Sequence, residues 1–423
     1  MTQDERVLGT AARAITKVIG HLLLLHRRCL SLLPSLMLAR IWPHAVDPRG
    51  VSSRRSVSGR SRISSAPDPA RHETIRGVNT QTADSAFIRA CRRQPTSSVP
   101  VWYMRQAGRS LPEYRATRAG TAMLEACSNP DLITEITLQP VRRYGVDAAI
   151  LFSDIVLPLR AAGLDIDIRP GVGPLIDKPF RDEGDVARLH DLEPGGIGFV
   201  GEAVRMLNSE LGETPLIGFA GGPFTLACYL VDGGPSKTFD QTRALMYGNP
   251  ELWRSLLTRL TAITITFLEL QLSSGASAVQ LFDSWAGILS PDDYRRCVLP
   301  YSRQIFAAIA ASGVPSIHFG VGTGELLGLL GEAGADVVGV DWRVPLDEAV
   351  HRVAPGKALQ GNLDPAVLLA PWTMVEERAR RVLEQGRTAE SHIFNLGHGV
   401  LPDTDPDVLA RLTDLVHEVE SAT

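Results

Sequence analysis

The stretch SGASAVQLF, residues 274–282, carries the pattern that decides the fold: a glycine, small residues and then a short apolar run. The same pattern returns in YGVDAAILF (144–152) and AGADVVGVD (333–341). Each glycine (Gly145, Gly275, Gly334) stands where the end of a helix favours a left-handed residue, and the small residues after it allow a tight turn into a strand. The pattern therefore indicates a repeated helix–turn–strand unit.

Eight short apolar runs of this kind follow one another along the chain. Unbroken runs of four to six residues are typical of strands buried on both faces, as in parallel sheets. Most segments between them have the length of a helix. The runs are VPVWYM (99–104), AAILF (148–152), PLIGFA (215–220), AVQLF (278–282), PSIHF (315–319), VVGVD (337–341), ALQGN (358–362) and HIFNL (392–396).

Helix-start signals support this alternation of strands and helices. Ser290, Asp364 and Asp405 each precede a proline, which is the arrangement of an N-cap followed by the first helical residue. We therefore predict the α/β class and a single (β/α)8 TIM barrel over residues 83–423. A doubly wound sheet would carry a glycine fingerprint after its first strand. GVGTGEL (320–326) follows a later strand and lacks that spacing, so we interpret it as a loop leading into a helix.

Residues 1–82 differ in composition from the rest of the chain. Residues 1–80 hold thirteen Lys/Arg and five Asp/Glu, although the 423-residue chain carries a net charge of −4. VSSRRSVSGRSRISS (51–65) has seven serines and four arginines, a composition typical of disorder. We predict a basic, disordered N-terminal extension, either without function or a transit peptide.

Composition excludes several classes of protein. With 44% hydrophobic and 21% charged residues, the chain resembles an ordinary globular protein. The longest uncharged apolar run near the N-terminus is too short to span a bilayer, so no membrane role is expected. Five cysteines without a C-x-x-C pair favour a reducing compartment over a disulfide framework. The basic extension lacks the interleaved aromatic residues of a nucleic-acid-binding segment.

Reactive residues follow the predicted strands, and in a barrel these positions meet at one mouth. Arg105 and Arg109 follow the first strand, and Asp154 follows the second. Two neighbouring arginines suggest a substrate rich in carboxylates, because the guanidinium fork matches a carboxylate. Other candidates at or after the ends of later strands are Tyr229, Asp283, Ser284, His318, Asp341, Asn362 and His398.

Each of these candidates has a structural alternative. The arginines could pair with acids on neighbouring loops, and Asp154 could cap a local turn. His318 lies inside an apolar strand and is better interpreted as a buried core histidine. His398 stands between two glycines, which favours a site role. Tyr229 is undecided by pattern alone, and no P-loop, nucleophile elbow or metal-binding His/Cys cluster occurs.

Six motifs, in order, resemble those of the uroporphyrinogen decarboxylase family over roughly residues 84–420. They are MRQAGRSLPEYRATR, LFSDI, GGPFTLACYLVDGG, LFDSWAG, GNLDP and NLGHGVLPDTDP. The resemblance implies a cytoplasmic homodimeric barrel (plastid-located if residues 1–82 are a transit peptide). It also implies an enzyme that decarboxylates the four acetates of uroporphyrinogen III to give coproporphyrinogen III, without metal or organic cofactor.

The resemblance also implies roles for individual residues. Asp154 and Arg105 would be catalytic, with the proton donor left open. The implied substrate-binding residues are Arg105, Gln106, Ala107, Gly108, Arg109, Asp154, Tyr229, Ser284 and His398.

The sequence fits two other functions of similar barrels less well. The zinc-dependent corrinoid methyltransferases carry a His-x-Cys motif after the fifth strand, where this chain has His318-Phe319-Gly320, and no cysteine follows Cys297. A non-enzymatic tetrapyrrole carrier would keep the arginines but would not need Asp154, whereas the FSDI motif is intact.

Overall fold

The computed structural model describes residues 81–418. The predicted extension over residues 1–82 therefore lies, except for its last two residues, outside the described part of the chain. Among the described residues, no helix is long and apolar enough to cross a membrane.

The centre of the fold is a parallel sheet of seven strands, in the order β1-β4-β5-β6-β7-β8-β9. All its neighbouring strands run parallel, and its longer strands are almost fully buried along their length, as the apolar runs predicted. A separate antiparallel hairpin is formed by β2 and β3. The strands are β1 (Ala149–Ile150), β2 (Ile166–Arg169), β3 (Gly173–Ile176), β4 (Leu216–Gly221), β5 (Ala278–Phe282), β6 (Ser316–Phe319), β7 (Val337–Gly339), β8 (Ala358–Leu363) and β9 (His392–Leu396).

The segment predicted as the first strand, residues 99–104, closes this sheet into a barrel. It forms only a single parallel bridge, between Val101 and Phe394 of β9. On its other side the N–H of Asp147 donates to the Val101 carbonyl (2.8 Å), and the Val101 N–H donates to the Asp147 carboxylate (2.7 Å). The strand is shorter than predicted because a side chain takes the place of a ladder partner and Pro100 has no N–H to give. Eight segments still surround the axis.

The helices alternate with the strands along the chain, and most cover the outside of the barrel. They are α1 (Ala86–Cys91), α2 (Pro112–Thr117), α3 (Met123–Ala126), α4 (Pro130–Tyr144), α5 (Leu157–Ala161), α6 (Glu183–Val186), α7 (Gly198–Leu211), α8 (Pro223–Asp232), α9 (Asp240–Gly248), α10 (Pro250–Ser273), α11 (Pro291–Cys297), α12 (Leu299–Ala310), α13 (Leu327–Glu332), α14 (Leu346–Arg352), α15 (Trp372–Gly386) and α16 (Pro406–His417).

Two of the three predicted α-helix starts are confirmed. The Ser290 hydroxyl accepts the Asp293 N–H at the start of α11, and the Asp405 carboxylate does the same for Asp407 at the start of α16. Asp364 caps a 3-10 helix rather than an α-helix. Gly145 ends α4 with φ 65°, in the left-handed region where an L side chain would be strained.

Side chains fill the barrel interior, so substrate can reach it only at an end. The indole N–H of Trp102 donates to the Gln360 side-chain oxygen (3.0 Å), and the Gln360 amide donates to Gln280 (2.9 Å). All three residues are buried. The carboxyl ends of the strands, where the predicted site residues lie, form the open mouth.

Candidate functional site

The loops after the first and last barrel segments are joined at the mouth. The Met104 N–H donates to the Asn395 side-chain oxygen (3.0 Å), and the Val400 N–H donates to the Met104 carbonyl (2.8 Å). These bonds hold residue 105 beside residues 398 and 399. Two parts of the chain that are almost 300 residues apart thus build one wall of the site.

Arg105 has the most unusual backbone of the predicted site residues. Its φ is 60°, in the left-handed region that costs a non-glycine residue about 1–2 kcal/mol. Its exposed side chain forms no ion pair or hydrogen bond within the described residues, and it lies directly over Gly399, where an added Cβ would overlap it. Such strain is tolerated where the surrounding structure fixes the conformation, as at functional sites. The structural alternative, an ion pair between Arg105 and an acid on a neighbouring loop, is not formed within residues 81–418.

Gln106 and Gly108 shape the turn that carries the arginines. The buried Gln106 side chain accepts the Tyr103 N–H (3.0 Å) and donates to the Ala148 carbonyl (3.1 Å). A Cβ on Gly108 would come within 2.8 Å of the Arg105 carbonyl oxygen, so the turn requires glycine there. These two residues therefore support the site's backbone, and the Gln106 side chain itself faces away from solvent.

The four arginines between residues 105 and 118 divide into two pairs. Arg115 donates to the carbonyl oxygens of Arg109 (2.6 Å) and Ser110 (3.2 Å). Arg118 donates to the Tyr114 hydroxyl (2.7 Å) and lies over the Tyr114 ring. Both therefore organise the loop. The exposed Arg109 side chain, like that of Arg105, has no acidic partner among the described residues.

Asp154 lies between β1 and α5, and it is partly buried. One carboxylate oxygen, Oδ1, accepts the Val156 N–H (3.0 Å), so the alternative role of Asp154 as the cap of a local turn is present. The other oxygen has no hydrogen-bond partner within residues 81–418. Burial raises the pKa of this carboxyl group, while the Val156 N–H and the Arg105 cation oppose that rise. Besides capping the turn, Asp154 therefore has an oxygen that can accept a hydrogen bond from a ligand, within electrostatic range of Arg105.

Tyr229 lies on α8, and an aromatic cluster holds its ring. The ring meets Trp285 edge-on at 6.2 Å, and Trp285 in turn packs against Phe239 at 4.9 Å. Burial raises the pKa of the phenol, the nearby Asp154 raises it further, and Arg105 lowers it. Tyr229 is thus a protonated hydroxyl within the electrostatic range of both Asp154 and Arg105. The pattern of the sequence left its role undecided, and the fold places it at the mouth.

Ser284 follows β5 and is partly exposed. Its hydroxyl makes no hydrogen bond to the described residues, so it is free for a ligand. The preceding Asp283 is fully buried, and its carboxylate accepts the Thr225 hydroxyl (3.0 Å). Burial raises the Asp283 pKa to about 6. Asp283 therefore supports the base of this loop, and Ser284 faces the opening.

His398 is neutral in its surroundings, and its tautomer follows from its contacts. Its Nδ1 accepts the Gly399 N–H (2.5 Å), so the ring proton lies on Nε2. Burial lowers its pKa to about 4, the Arg105 and Arg343 cations add to that effect, and the Asp341 carboxylate opposes it. His398 consequently presents an Nε2–H donor and no charge.

His318 is a core histidine, as expected. Its ring is fully buried on β6, and Nδ1 bonds the Leu330 carbonyl oxygen (3.3 Å). Burial lowers its pKa to about 4. It therefore stands apart from the residues of the mouth.

Arg343, which follows β7, also lies at the mouth and was not among the residues predicted from the sequence. Its guanidinium stacks on the Trp342 ring with Cζ 3.9 Å from the ring centroid, and that ring lies 6.3 Å from the His398 ring. Its position two residues after VVGVD could have indicated it. However, a single arginine does not stand out in a chain with 43 Lys/Arg.

The site is thus a mouth with unpaired arginines, a carboxylate, two hydroxyls and a neutral imidazole. Within residues 81–418 no group of three or more His, Cys, Asp or Glu side chains could hold a metal ion. These residues can bind carboxylates and can stabilise a cation at Asp154.

Comparison with known proteins points to one family. The family model described as uroporphyrinogen decarboxylase matches residues 82–419. The chain is 66% identical over 346 residues to the uroporphyrinogen decarboxylase of Thermobifida fusca, covering 82% of this chain and 95% of that one. It is 66% identical over 338 residues to that of Streptomyces coelicolor (80% and 95%), and 62% identical over 352 residues to that of Nocardia farcinica (81% and 99%).

Among solved structures, a methyltransferase from Methanosarcina mazei is similar, with a TM-score of 0.67 at 19% identity. The match covers 80% of this chain and 98% of that one. At this identity the similarity concerns the fold, and it agrees with the predicted barrel.

Proposed function

The chain belongs to the uroporphyrinogen decarboxylase family, and from that membership we propose how the residues of its mouth carry out the reaction. It is a carboxy-lyase of porphyrin biosynthesis that acts on uroporphyrinogen III. The four acetate side chains become methyl groups, and the product is coproporphyrinogen III.

The substrate provides its own electron sink. Protonation of a pyrrole ring carbon next to the acetate gives an iminium-like cation. The C–COO⁻ bond then breaks, and its electron pair neutralises the ring as CO2 leaves. A proton from solvent or a neighbouring group then adds to the exocyclic carbon and makes the methyl group. The ring carbon finally loses the proton that it gained in the first step, which restores the neutral pyrrole. The enzyme therefore needs to bind the ring, stabilise its positive charge and orient the carboxylates.

Asp154 is the residue we assign to the positive charge. Its free oxygen can accept hydrogen bonds from pyrrole N–H groups, and its negative charge lies where the ring becomes cationic. Charge-assisted hydrogen bonds contribute roughly 1.5–3 kcal/mol each, and only the part that strengthens in the transition state raises the rate. The observation that carries this proposal is a partly buried carboxylate that has one oxygen without a hydrogen bond among residues 81–418 and whose pKa the Arg105 cation lowers.

Arg105 and Arg109 are the residues we assign to the substrate carboxylates. Both guanidinium groups are exposed and unpaired within the described residues, so each keeps its fork free. The backbone N–H groups of Ala107, Gly108 and Arg109 also have no acceptor among those residues. The two guanidinium groups and these N–H groups together suit a carboxylate side chain of the substrate, because consecutive N–H groups of a turn bind anions. Arginine stays protonated, so Arg105 is assigned an orienting role and the proton donor is left open.

Tyr229, Ser284 and His398 complete the proposed substrate contacts. Each offers a hydroxyl or an imidazole N–H, and none of them is charged near neutral pH. They can therefore fix the position of the macrocycle, while Asp154 alone among these groups offers a negative charge to the ring as it becomes cationic.

The chemistry can be tested by anaerobic turnover of uroporphyrinogen III in D2O. We expect four CO2 per substrate and one solvent deuteron in each new methyl group, measured by mass spectrometry of the oxidised product. The deuteron follows from protonation of the exocyclic carbon after CO2 leaves. Methyl groups without solvent deuterium would contradict this route.

Changing Gly399 to alanine tests the position of Arg105. The added Cβ would overlap the Arg105 side chain and push it from the mouth. We expect kcat/KM to fall about tenfold. This factor corresponds to the loss of about 1.4 kcal/mol of transition-state stabilisation, roughly that of one oriented contact. The matched control is Gly195→Ala, where nothing lies within 4 Å of the added Cβ. Equal kcat/KM values in the two variants would show that Arg105 is not held by this packing.

We further propose that the enzyme is a cytoplasmic homodimer whose catalytic domain comprises residues 83–423, preceded by the extension. The family resemblance supports the dimer, and the bacterial origin of the similar enzymes supports the cytoplasm.

A further inference from the structure

Arg343 is held on the rim of the mouth by two contacts. Its guanidinium stacks on Trp342 at 3.9 Å, and its Nη1 donates to the Asp341 carboxylate (2.7 Å). Its side chain is nevertheless 51% exposed. A long side chain fixed in this way loses little conformational entropy when it binds a ligand.

Most of the hydrogen-bonding capacity of Arg343 is unused. A guanidinium has five N–H donors, and within the described residues only Nη1 has an acceptor. Asp341 is buried and also accepts the N–H groups of Gly322 and Arg343. That carboxylate is therefore shared among several donors, and the outer edge of the Arg343 fork stays open.

The loop that carries Arg343 packs directly on the loop that carries His398. A Cβ on Gly397 would overlap the backbone of Trp342, and the Trp342 and His398 rings lie 6.3 Å apart at 39°. Arg343 is close enough for its charge to disfavour protonation of His398, as Arg105 also does. The two arginines thus act on the same imidazole, Arg343 from the loop after β7 and Arg105 from the loop after the first barrel segment.

We propose that Arg343 is a further substrate-binding residue that recognises a carboxylate at the edge of the macrocycle. This inference rests on the proposed function. Uroporphyrinogen carries acetate and propionate side chains around its ring, more carboxylates than Arg105 and Arg109 can bind together. An arginine beside His398 offers a bidentate site for another of them.

Steady-state kinetics of Arg343→Met with uroporphyrinogen III test this proposal. We expect KM to rise about tenfold with kcat within twofold of wild type, because the contact is the same in the ground state and the transition state. Arg343→Lys should give an intermediate KM, since lysine keeps the charge but loses the fork. The control is Arg380→Met, at a similarly exposed (50%) arginine that pairs with Glu376 on α15.

Three outcomes would overturn the proposal. An Arg343→Met enzyme with unchanged KM but a lower melting temperature would show that the residue only stabilises Asp341. A lower kcat with unchanged KM would also contradict a binding role. A wild-type enzyme inactive on uroporphyrinogen III would remove the proposed function as well, so the wild-type arm separates the two failures.

Discussion

Replacing Asp154 with asparagine is expected to lower kcat for uroporphyrinogen III about a hundredfold. Asparagine keeps an oxygen for the Val156 N–H, so the local turn should survive. Asparagine loses the negative charge that stabilises the cationic ring. A loss of about 3 kcal/mol of transition-state stabilisation corresponds to a hundredfold lower rate. Stopped-time anaerobic assays at saturating substrate measure the effect.

The pH profile of the same variant gives an independent readout. Burial raises the Asp154 pKa above that of an ordinary aspartate. The charged form is required, so kcat/KM of the wild type should fall as pH decreases through this raised pKa. Asp154→Asn should lack that acid limb. The control is Asp167→Asn on β2, an exposed (69%) aspartate paired with Arg169. Wild-type activity in Asp154→Asn would contradict the assigned role.

Two buried histidines are expected to make the fold unstable in acid. His318 and His392 each bond one ring nitrogen to a carbonyl oxygen, of Leu330 and Gly361 respectively, and the other nitrogen has no partner among the described residues. Burial therefore lowers both pKa values to about 4, from 6.5. Their neutral forms stabilise the fold fully above pH 6.5, and this stabilisation is lost as pH falls toward 4.

The expected loss is about 2 kcal/mol per histidine at pH 5 relative to pH 7.5. Urea unfolding of His318→Asn and His392→Gln measures it, because each replacement keeps a donor for the same carbonyl but cannot titrate. We expect each variant to be less stable than wild type at pH 7.5, because packing is lost. Between pH 7.5 and pH 5, however, the free energy of unfolding of each variant should fall by about 2 kcal/mol less than that of wild type.

The exposed His351 provides the comparison for the two buried histidines. His351→Gln is the matched replacement at an exposed histidine of α14. The same wild-type pH dependence in both core variants would show that these histidines do not cause the acid sensitivity.

The barrel was predictable because its strands are buried on both faces. AVQLF and HIFNL coincide with β5 and β9, since unbroken apolar runs leave little choice of boundary. The first strand was harder to define. The Asp147 side chain bonds the Val101 N–H there, and a contact between residues 46 positions apart leaves no local signal in the sequence.

The candidate site was predictable where position and motif coincide. Arg105, Asp154 and His398 follow strands whose ends meet, so counting strands sufficed to bring them together. Arg343 was not predicted because its place at the mouth depends on stacking with Trp342 and on the packing of that loop against Gly397. The division of the four arginines also needed the structure, since only the fold shows the carbonyl oxygens that Arg115 contacts.

The most direct test of the central claim compares wild type with Asp154→Ala in anaerobic conversion of uroporphyrinogen III, with products separated chromatographically after oxidation. We expect wild type to yield coproporphyrinogen III and Asp154→Ala, while folded, to work at about a hundredth of that rate or less. No coproporphyrinogen from the wild type, or equal rates in the two proteins, would contradict it.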